Sequence, residues 1–385
     1  MADIKISENN EESGMFQKIH IKAYRGLKDI ALDELGRVNI IVGENNTGKT
    51  SILEAIQLFK DSNVLMSIMS VAKSRQINTG MIGRNSLWPF DEFLYTFPAQ
   101  EGNLKNISMD ALYTVEGSQD RYSLDIFGNF QQESFFQDEL PKSEQERFRM
   151  CCTEEGELRY VQGEFTYEGP LGIRREEYYF RETQPRPCSK IKENPSLFRY
   201  EEKVVYISPL DIYSNKVINA SLYKGMRVEE KKDLIRLLQL FDERIIGIEV
   251  GIRYGSPAIL VEVENVGLMP VSVFGDGLKK ILTLASAVIK AENGIILIDE
   301  FETGIHKRAL VQVADWLFSV AEQKHIQVFL TSHSSDAIDA LVQAQKQYES
   351  DISAYRLENY MGETYVKKFR SKELYDLIRQ GMDIL

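Results

Sequence analysis

The spacing of hydrophobic positions indicates two kinds of structure along the chain. Residues 37–42 form an apolar, β-branched run, which predicts a buried strand. The apolar positions that follow it fit one face of a helix: Ile52, Ala55, Ile56 and Phe59. After residue 290, buried runs alternate with amphipathic periods, which favours parallel βαβ winding. The strands are predicted at 294–299, 326–331, 352–357 and 364–369, and the helices at 310–321, 336–347 and 372–385.

Shorter alternating segments between turn residues indicate an antiparallel part. They lie at 15–22, 27–35, 106–115 and 121–127, and in pieces across 158–180. We expect turns at Gly163 and Pro170 and a proline-containing loop at 185–195.

The pattern predicts an α/β fold with a mixed, mostly parallel sheet, an antiparallel β subdomain and an inserted α/β lobe. A disordered tail is expected at residues 1–14. The main domain is expected to comprise 15–60 and 201–385, and the inserted region 61–200.

Composition narrows the class of protein. The chain has 385 residues and a formal net charge of −12, which argues against a broadly basic nucleic-acid binder but leaves room for a local basic groove. Its three cysteines show neither metal-ligand spacing nor a disulfide framework, which suits a reducing compartment. Neither a membrane-spanning stretch nor a signal peptide is evident, so we expect a cytoplasmic protein.

Residues 43–50 read Gly-Glu-Asn-Asn-Thr-Gly-Lys-Thr and fit the phosphate-loop pattern GxxxxGK[ST]. Backbone N–H groups of such a loop bind the phosphates of ATP, with the helix N-terminus behind them. Lys49 supplies a positive charge to the phosphates, and Thr50 offers a hydroxyl to Mg²⁺. A chance glycine-rich turn is the alternative, and the fitting strand and helix on either side disfavour it. The expected nucleotide ligands are Gly43, Glu44, Asn45, Asn46, Thr47, Gly48, Lys49, Thr50 and Ser51.

Two adjacent carboxylates, Asp299 and Glu300, end the buried run that begins near residue 295. We expect Asp299 to hold Mg²⁺ and Glu300 to act as general base toward the attacking water. A solvated acidic turn is the alternative, and the phosphate loop upstream disfavours it.

A histidine follows the next predicted strand. His333 would lie at the same edge of the sheet as the carboxylates, where its imidazole could contact the γ-phosphate or the water. The alternative is a structural histidine held by hydrogen bonds. For His306, a role in an interface or a helix cap is equally open.

Gly275, Asp276 and Gly277 begin the helix that precedes the acidic strand. Two glycines at a helix N-terminus leave N–H groups open to an anion. An ordinary helix cap is an equally good interpretation of these residues.

The order and spacing of these motifs resemble the ABC-type ATPase heads of the SMC, RecF and OLD kind, and most of all prokaryotic AAA-family ATPases related to OLD nucleases, including those of phage-defence pairs. The matching elements are Walker A (43–50), a signature (275–277), Walker B (295–300) and a switch histidine (His333). A short strand ending in Tyr24-Arg25-Gly26 also matches. The resemblance covers about residues 15–60 and 200–385 and leaves the middle of the chain unassigned.

The resemblance implies a P-loop NTPase fold of the ABC/SMC-head type. It also implies two heads that meet face to face, with each ATP between one head's Walker A and the other's signature. Arg25 would approach the nucleotide. One departure concerns Gly275, which stands where transporter-type signatures carry a serine. We expect no fused TOPRIM nuclease.

Three functions fit these observations. The first is an ATPase whose nucleotide state drives homo-oligomer formation and controls a separate effector protein, such as a nuclease. The second is a RecF-like repair ATPase that binds DNA directly. The third is a nucleotide-bound scaffold with little turnover.

Overall fold

The computed structural model describes residues 14–59, 64–76, 89–98, 104–115, 117–151, 155–193, 203–213, 228–253, 256–345 and 352–370, together with 373, 376 and 377. Its strands are β1 (Met15–Tyr24), β2 (Leu27–Asp33), β3 (Val38–Gly43), β4 (Leu104–Val115), β5 (Ser118–Phe136), β6 (Glu155–Gly169), β7 (Gly172–Arg181), β8 (Cys188–Glu193), β9 (Val204–Ile207), β10 (Ile245–Arg253), β11 (Ser256–Val263), β12 (Gly267–Pro270), β13 (Ile295–Ile298), β14 (Gln327–Ser332), β15 (Ile352–Tyr360) and β16 (Glu363–Arg370). The helices are α1 (Lys49–Phe59), α2 (Val64–Gln76), α3 (Pro89–Leu94), α4 (Lys142–Cys151), α5 (Val228–Gln239), α6 (Asp276–Lys290), α7 (Lys307–Gln323) and α8 (Ser335–Gln345).

A six-stranded sheet in the order β16-β15-β3-β14-β13-β9 forms the centre of the molecule. Its strands are parallel except for β16, which pairs antiparallel with β15. Because parallel strands with both faces covered must be apolar on both sides, β3, β13 and β14 are continuous buried runs. This arrangement brings the carboxyl ends of β3, β14 and β13 side by side at one edge of the sheet.

Two hydrophobic cores lie on opposite faces of this sheet. Alternate residues of β3 reach them: Val38, Ile40 and Val42 enter one core, and Ile41 enters the other. The first core is completed by α5 to α8 and the small sheet β10-β11-β12, and the second by α1 to α3 and a seven-stranded antiparallel sheet. The molecule is therefore layered, with the mostly parallel sheet in the middle.

The seven-stranded sheet has the order β2-β1-β4-β5-β6-β7-β8. It joins the N-terminal hairpin to strands of the middle region, because β1 pairs with both β2 and β4. The predicted α/β class, with a mostly parallel sheet and an antiparallel part, is confirmed. The division of the chain at residues 60 and 200 stays a proposal.

Two sequence predictions in the middle region are wrong. Gly163 lies inside β6 rather than in a turn, opposite Gly128 of β5. A Cβ there would stand 1.8 Å from the carbonyl oxygen of Phe127, so the glycine permits a close approach of two backbones. The expected loop at 185–195 contains β8, which pairs with β7. The predicted turn at Pro170 is confirmed, since β6 and β7 meet there.

Some predictions fall outside the described residues. They include residues 1–13 of the expected tail and nearly all of the helix expected at 372–385. Within the described residues, no helix is long and apolar enough to cross a membrane.

Candidate functional site

An open cleft of about 910 Å³ lies at the carboxyl edge of the six-stranded sheet. The residues that line it come from four places: the turn after β1, the loop after β3, the ends of β13 and β14, and the β15–β16 hairpin. They are Arg25, Gly26, Leu27, Asn45, Asn46, Thr47, Gly48, Lys49, Thr50, Ser51, Asp299, Glu300, His333, Asn359, Gly362 and Thr364. Most of the site residues predicted from the sequence therefore meet in one cleft.

The loop after β3 owes its shape to its two glycines. Gly43 and Gly48 both have positive φ angles, 146° and 98°. A Cβ at Gly43 would stand 2.5 Å from the carbonyl oxygen of Leu357, and one at Gly48 would stand 2.6 Å from Cδ2 of Leu27. Only glycine fits either position without a shift of the neighbouring atoms. Gly43 and Glu44, which the sequence also suggested as nucleotide ligands, are not among the residues that line the cleft.

The side chain of Lys49 folds back onto the loop that precedes it. Its Nζ donates hydrogen bonds to the carbonyl oxygens of Gly43 and Glu44, both at 2.7 Å. Burial lowers the pKa of Lys49, against the attraction of nearby carboxylates, of which Asp299 has the largest effect. The ammonium is thus held at the centre of the cleft by groups that a phosphate could replace.

Asp299 accepts hydrogen bonds from hydroxyl groups on three sides and is only 6% exposed. Thr50 Oγ1 lies 2.9 Å from Oδ2 and 3.2 Å from Oδ1, and Thr331 Oγ1 donates to Oδ1 at 2.6 Å. Tyr206 donates to Oδ2 at 3.3 Å. A carboxylate beside a threonine hydroxyl is the oxygen-donor set that Mg²⁺ prefers, so Thr50 and Asp299 fit the ion.

Glu300 has a left-handed backbone, with φ of 48°. Three hydrogen bonds hold it there. Its N–H donates to Thr331 Oγ1 at 2.8 Å, Thr303 Oγ1 donates to its Oε2 at 2.9 Å, and Lys280 Nζ donates to its carbonyl oxygen at 3.1 Å. Strained backbone that its surroundings hold in place is common where a side chain must be aimed at a ligand.

His333 stands at the mouth of the cleft with 45% of its side chain exposed. Its backbone N–H donates to Glu302 Oε1 at 2.9 Å, and its Nδ1 lies 3.3 Å from the same oxygen. The other carboxylate oxygen of Glu302, Oε2, is buried without a hydrogen-bond partner in the described part of the chain. Glu302 thus fixes the orientation of the imidazole.

Lys280 of α6 is fully buried beneath the acidic loop. Burial lowers the pKa of its ammonium to about 8, although several carboxylates oppose the shift, with Glu302 first and Asp299 second. Five residues around the acidic strand end were not predicted from the sequence as site residues: Lys280, Glu302, Thr303, Thr331 and Tyr206. Thr331 could have been found as the polar end of a buried strand, whereas Lys280 and Tyr206 carry no motif.

Arg25 borders the cleft from the side of α1. It has a positive φ of 51°, and its Nε donates to Glu54 Oε2 at 2.8 Å while Nη1 donates to the carbonyl oxygen of Tyr95 at 3.2 Å. Its Nη2 is buried with no partner among the described residues. The guanidinium therefore adds a positive charge beside the phosphate loop, which favours an anion there.

The predicted signature residues do not line the cleft of their own chain. Gly275 caps α6 with φ of −67°, is exposed, and has open space where a Cβ would lie. Gly277 is different, because a Cβ there would stand 2.3 Å from Cε1 of Phe241. Asp276 faces Lys279 at 3.2 Å. His306 caps α7, accepting a hydrogen bond at Nδ1 from the Arg308 N–H, which answers the question left open by the sequence.

A phosphate loop that faces an acidic strand end across a P-loop sheet defines a nucleotide-binding ATPase. The chain belongs to the family described as "AAA domain, putative AbiEii toxin, Type IV TA system", whose model matches residues 38–339. It is an ATP-binding ATPase of this AAA family.

Among curated relatives, the chain is similar to an "ATP/GTP phosphatase" of Helicobacter pylori, with 24% identity over 357 residues, which cover 86% of this chain and 88% of that protein. An uncharacterized Methanocaldococcus jannaschii protein is 32% identical over 111 residues, which cover 28% of this chain and 50% of that protein.

Two solved structures of SMC heads are also similar. The head domain from Thermotoga maritima aligns with a TM-score of 0.40 and 13% identity, covering 92% of this chain and 98% of that one. An SMC head bound to the C-terminal winged-helix domain of ScpA aligns with a TM-score of 0.47 and 12% identity, covering 94% and 99%.

Proposed function

We propose that this chain is a nucleotide-operated switch that hydrolyses ATP in the described cleft. The observation that carries the proposal is the hydrogen bond between Thr50 and Asp299, 2.9 Å long, which joins the phosphate loop to the acidic strand end. Two sequence motifs 249 residues apart thereby meet at one point, as Mg²⁺-dependent phosphoryl transfer requires.

In ATP binding and hydrolysis, each residue of the cleft would have a distinct role. The loop N–H groups and Lys49 bind the β- and γ-phosphates, and Arg25 adds positive charge at the side of the loop. Glu300 takes a proton from the attacking water, and His333 contacts the γ-phosphate. Thr50 and Asp299 would hold Mg²⁺, which neutralises charge on the phosphates.

We further propose that the working form is a homodimer or a larger homo-oligomer. Gly275, Asp276 and Gly277 do not line their own chain's cleft, and α6 begins at the exposed Gly275, where the positive end of the helix dipole favours an anion. A second copy could present this helix to the ATP held by the first. Each site would then be complete only when two chains meet.

The nucleotide state would control a separate effector protein, which we place in the class of nucleases that act in phage defence. The resemblance to ATPases of phage-defence pairs supports this assignment. Direct DNA binding receives less support, because the chain carries a net charge of −12. A cytoplasmic location belongs to the same proposal.

The Lys49→Ala variant tests the proposal. Removal of the Lys49 ammonium, which lies on the loop, should abolish most ATP binding in calorimetry, and with it hydrolysis and ATP-dependent assembly. Lys190→Ala, an exposed lysine of β8, serves as the matched control and should bind ATP like the wild type. Unchanged ATP affinity in Lys49→Ala would contradict the assignment of the loop.

A further inference from the structure

The sheet order gives the cleft two different ends. The phosphate loop follows β3, which lies between β14 on one side and β15 on the other. Asp299, Glu300 and His333 all lie on the β14 and β13 side. For hydrolysis, the γ-phosphate must lie near these three residues. The ribose and the base therefore extend from the loop toward a different wall of the cleft.

The β15–β16 hairpin forms that other wall. Leu357 pairs with Gly43, the residue where β3 gives way to the phosphate loop. The hairpin continues past this point, so Asn359 stands about 7 Å further along the strand direction. Its turn at Met361 and Gly362 has two positive φ angles, 52° and 82°, typical of a tight hairpin whose strands keep their register.

One face of the hairpin is directed at the cleft. Asn359 and Thr364 are cross-strand partners, and both line the cleft. They continue the face of β15 that carries the buried Leu357, two residues earlier. Tyr360 is 63% exposed and belongs to the opposite face. The cleft face of the hairpin tip is therefore polar, although the tip also carries large apolar side chains.

Neither Asn359 nor Thr364 has a side-chain hydrogen bond within the part of the chain that the structure describes. Thr364 is half-buried and Asn359 is exposed, so the Asn359 amide is accessible to a ligand in the cleft. A cleft of about 910 Å³ also lies at the upper end of the range for whole small-molecule ligands, about 300–1,000 Å³, and exceeds what a triphosphate chain alone requires.

We propose that the β15–β16 hairpin is the base-recognition site of the cleft and that Asn359 selects adenine over guanine. An amide presents one acceptor and one donor side by side, which matches the N6 amino group and N7 of adenine. Guanine has two acceptors at that edge, N7 and O6, so an amide oxygen there would lack a donor. The inference rests on the proposed ATP binding and adds the part that reads the base.

Exchange of the amide for an ammonium gives a sharp test. An ammonium donates only, so at the same edge it suits N7 and O6 of guanine and leaves the N6 amino group of adenine without an acceptor. Asn359→Lys should lower the affinity ratio of ATP analogue to GTP analogue on the order of tenfold or more, as expected for one bidentate base contact. Asn359→Ala should weaken the ATP analogue and leave the GTP analogue nearly unchanged.

The measurement is calorimetry with non-hydrolysable ATP and GTP analogues and with inorganic tripolyphosphate, in the presence of Mg²⁺. Tripolyphosphate should bind the wild type and Asn359→Ala with a common affinity. In Asn359→Lys, the added positive charge should strengthen tripolyphosphate and both nucleotides by the same factor. Glu358→Gln is the matched control, because Glu358 lies on the other face of the hairpin beside Arg356, with its Oε1 3.2 Å from Nε. It should leave the ATP-to-GTP ratio unchanged.

The outcomes separate this inference from the proposed function. Unchanged ATP and GTP affinities in both Asn359 variants would overturn base recognition by the hairpin, while wild-type ATP binding would still support the proposed function. If the wild type bound tripolyphosphate and the ATP analogue with equal affinity, base recognition by the hairpin would also be overturned, and the proposed function would still stand. A wild type that binds none of the three ligands would overturn both.

Discussion

Lys280 Nζ donates a hydrogen bond to the carbonyl oxygen of Glu300, 3.1 Å away, from a position fully buried in the core. The bond links α6, whose N-terminus we propose to meet the ATP of a second chain, to the residue we propose as general base. A buried ammonium is costly unless it is paired, and this carbonyl oxygen is its partner. We propose that the pairing aims Glu300.

Lys280→Met keeps the length of the side chain and removes the donor. We expect unchanged ATP affinity and a turnover number lowered on the order of tenfold or more, since small misplacements of a catalytic group are costly. Lys290→Met, at the far end of the same helix, should leave turnover unchanged. A fall in ATP affinity without a fall in turnover would contradict the role of Lys280 in aiming Glu300.

The buried Lys280 should also make the free energy of unfolding depend on pH, and Lys280→Met tests this. Burial lowers the pKa of Lys280 from its ordinary 10.5 to about 8, so between these values the unfolded chain binds a proton that the folded chain has lost. The free energy of unfolding therefore rises with pH across this window, by up to about 3 kcal/mol. Lys280→Met lacks this contribution. Urea unfolding of both proteins should show the wild type gaining stability relative to the variant as the pH rises from 8 to 10.5. A constant difference would refute the assignment.

Glu302→Gln tests the pairing with His333. Glutamine keeps an acceptor for the His333 N–H and removes the buried negative charge beside Nδ1. We expect ATP turnover to fall roughly tenfold to a hundredfold, with ATP affinity less affected. Because both residues act through one contact, Glu302→Gln combined with His333→Ala should be no slower than His333→Ala alone. Additive losses in this double-mutant cycle would show that Glu302 acts independently of the histidine.

Gly275→Arg tests the shared site. The position is exposed, has an ordinary φ and has open space for a Cβ, so the variant should fold and bind ATP. It should fail to assemble or hydrolyse, since the arginine would cover the N-terminus of α6. Gly277 is unsuitable for this purpose because of Phe241.

Mixing Gly275→Arg with Lys49→Ala sharpens the experiment. A mixed dimer contains one composite site with an intact phosphate loop and an intact α6 N-terminus, so part of the ATPase activity should return. If the two variants co-assemble and no activity returns, each chain has a self-contained site.

The features predicted most accurately from the sequence are those encoded by a short, contiguous segment of the chain. The phosphate loop, the acidic strand end and the strands around them are contiguous motifs whose chemistry dictates their neighbours, and β3 and β13 lie where the pattern places them. Gly163 shows the limit of this reasoning. A glycine signals unusual backbone freedom or close approach, and only the pairing of β5 with β6 decides between the two.

The contacts that surround the site were beyond sequence reasoning for a different reason. Asn359 of β15 lines the cleft, and Lys280 of α6 and Tyr206 of β9 contact the acidic residues that line it. Nothing in the immediate sequence of these three residues marks them. Their roles follow from tertiary topology, which sets β9, β13, β14, β3 and β15 beside one another out of chain order.

The central claim is that this cleft hydrolyses ATP with Glu300 as general base. The most direct measurement compares ATP binding and single-turnover hydrolysis in the wild type, in Glu300→Gln and in Glu243→Gln, an exposed control. We predict that Glu300→Gln binds ATP as tightly as the wild type, hydrolyses it roughly 10²–10⁴-fold more slowly and accumulates as an ATP-bound assembly, while Glu243→Gln is unaffected. Hydrolysis by Glu300→Gln at the wild-type rate would contradict the account.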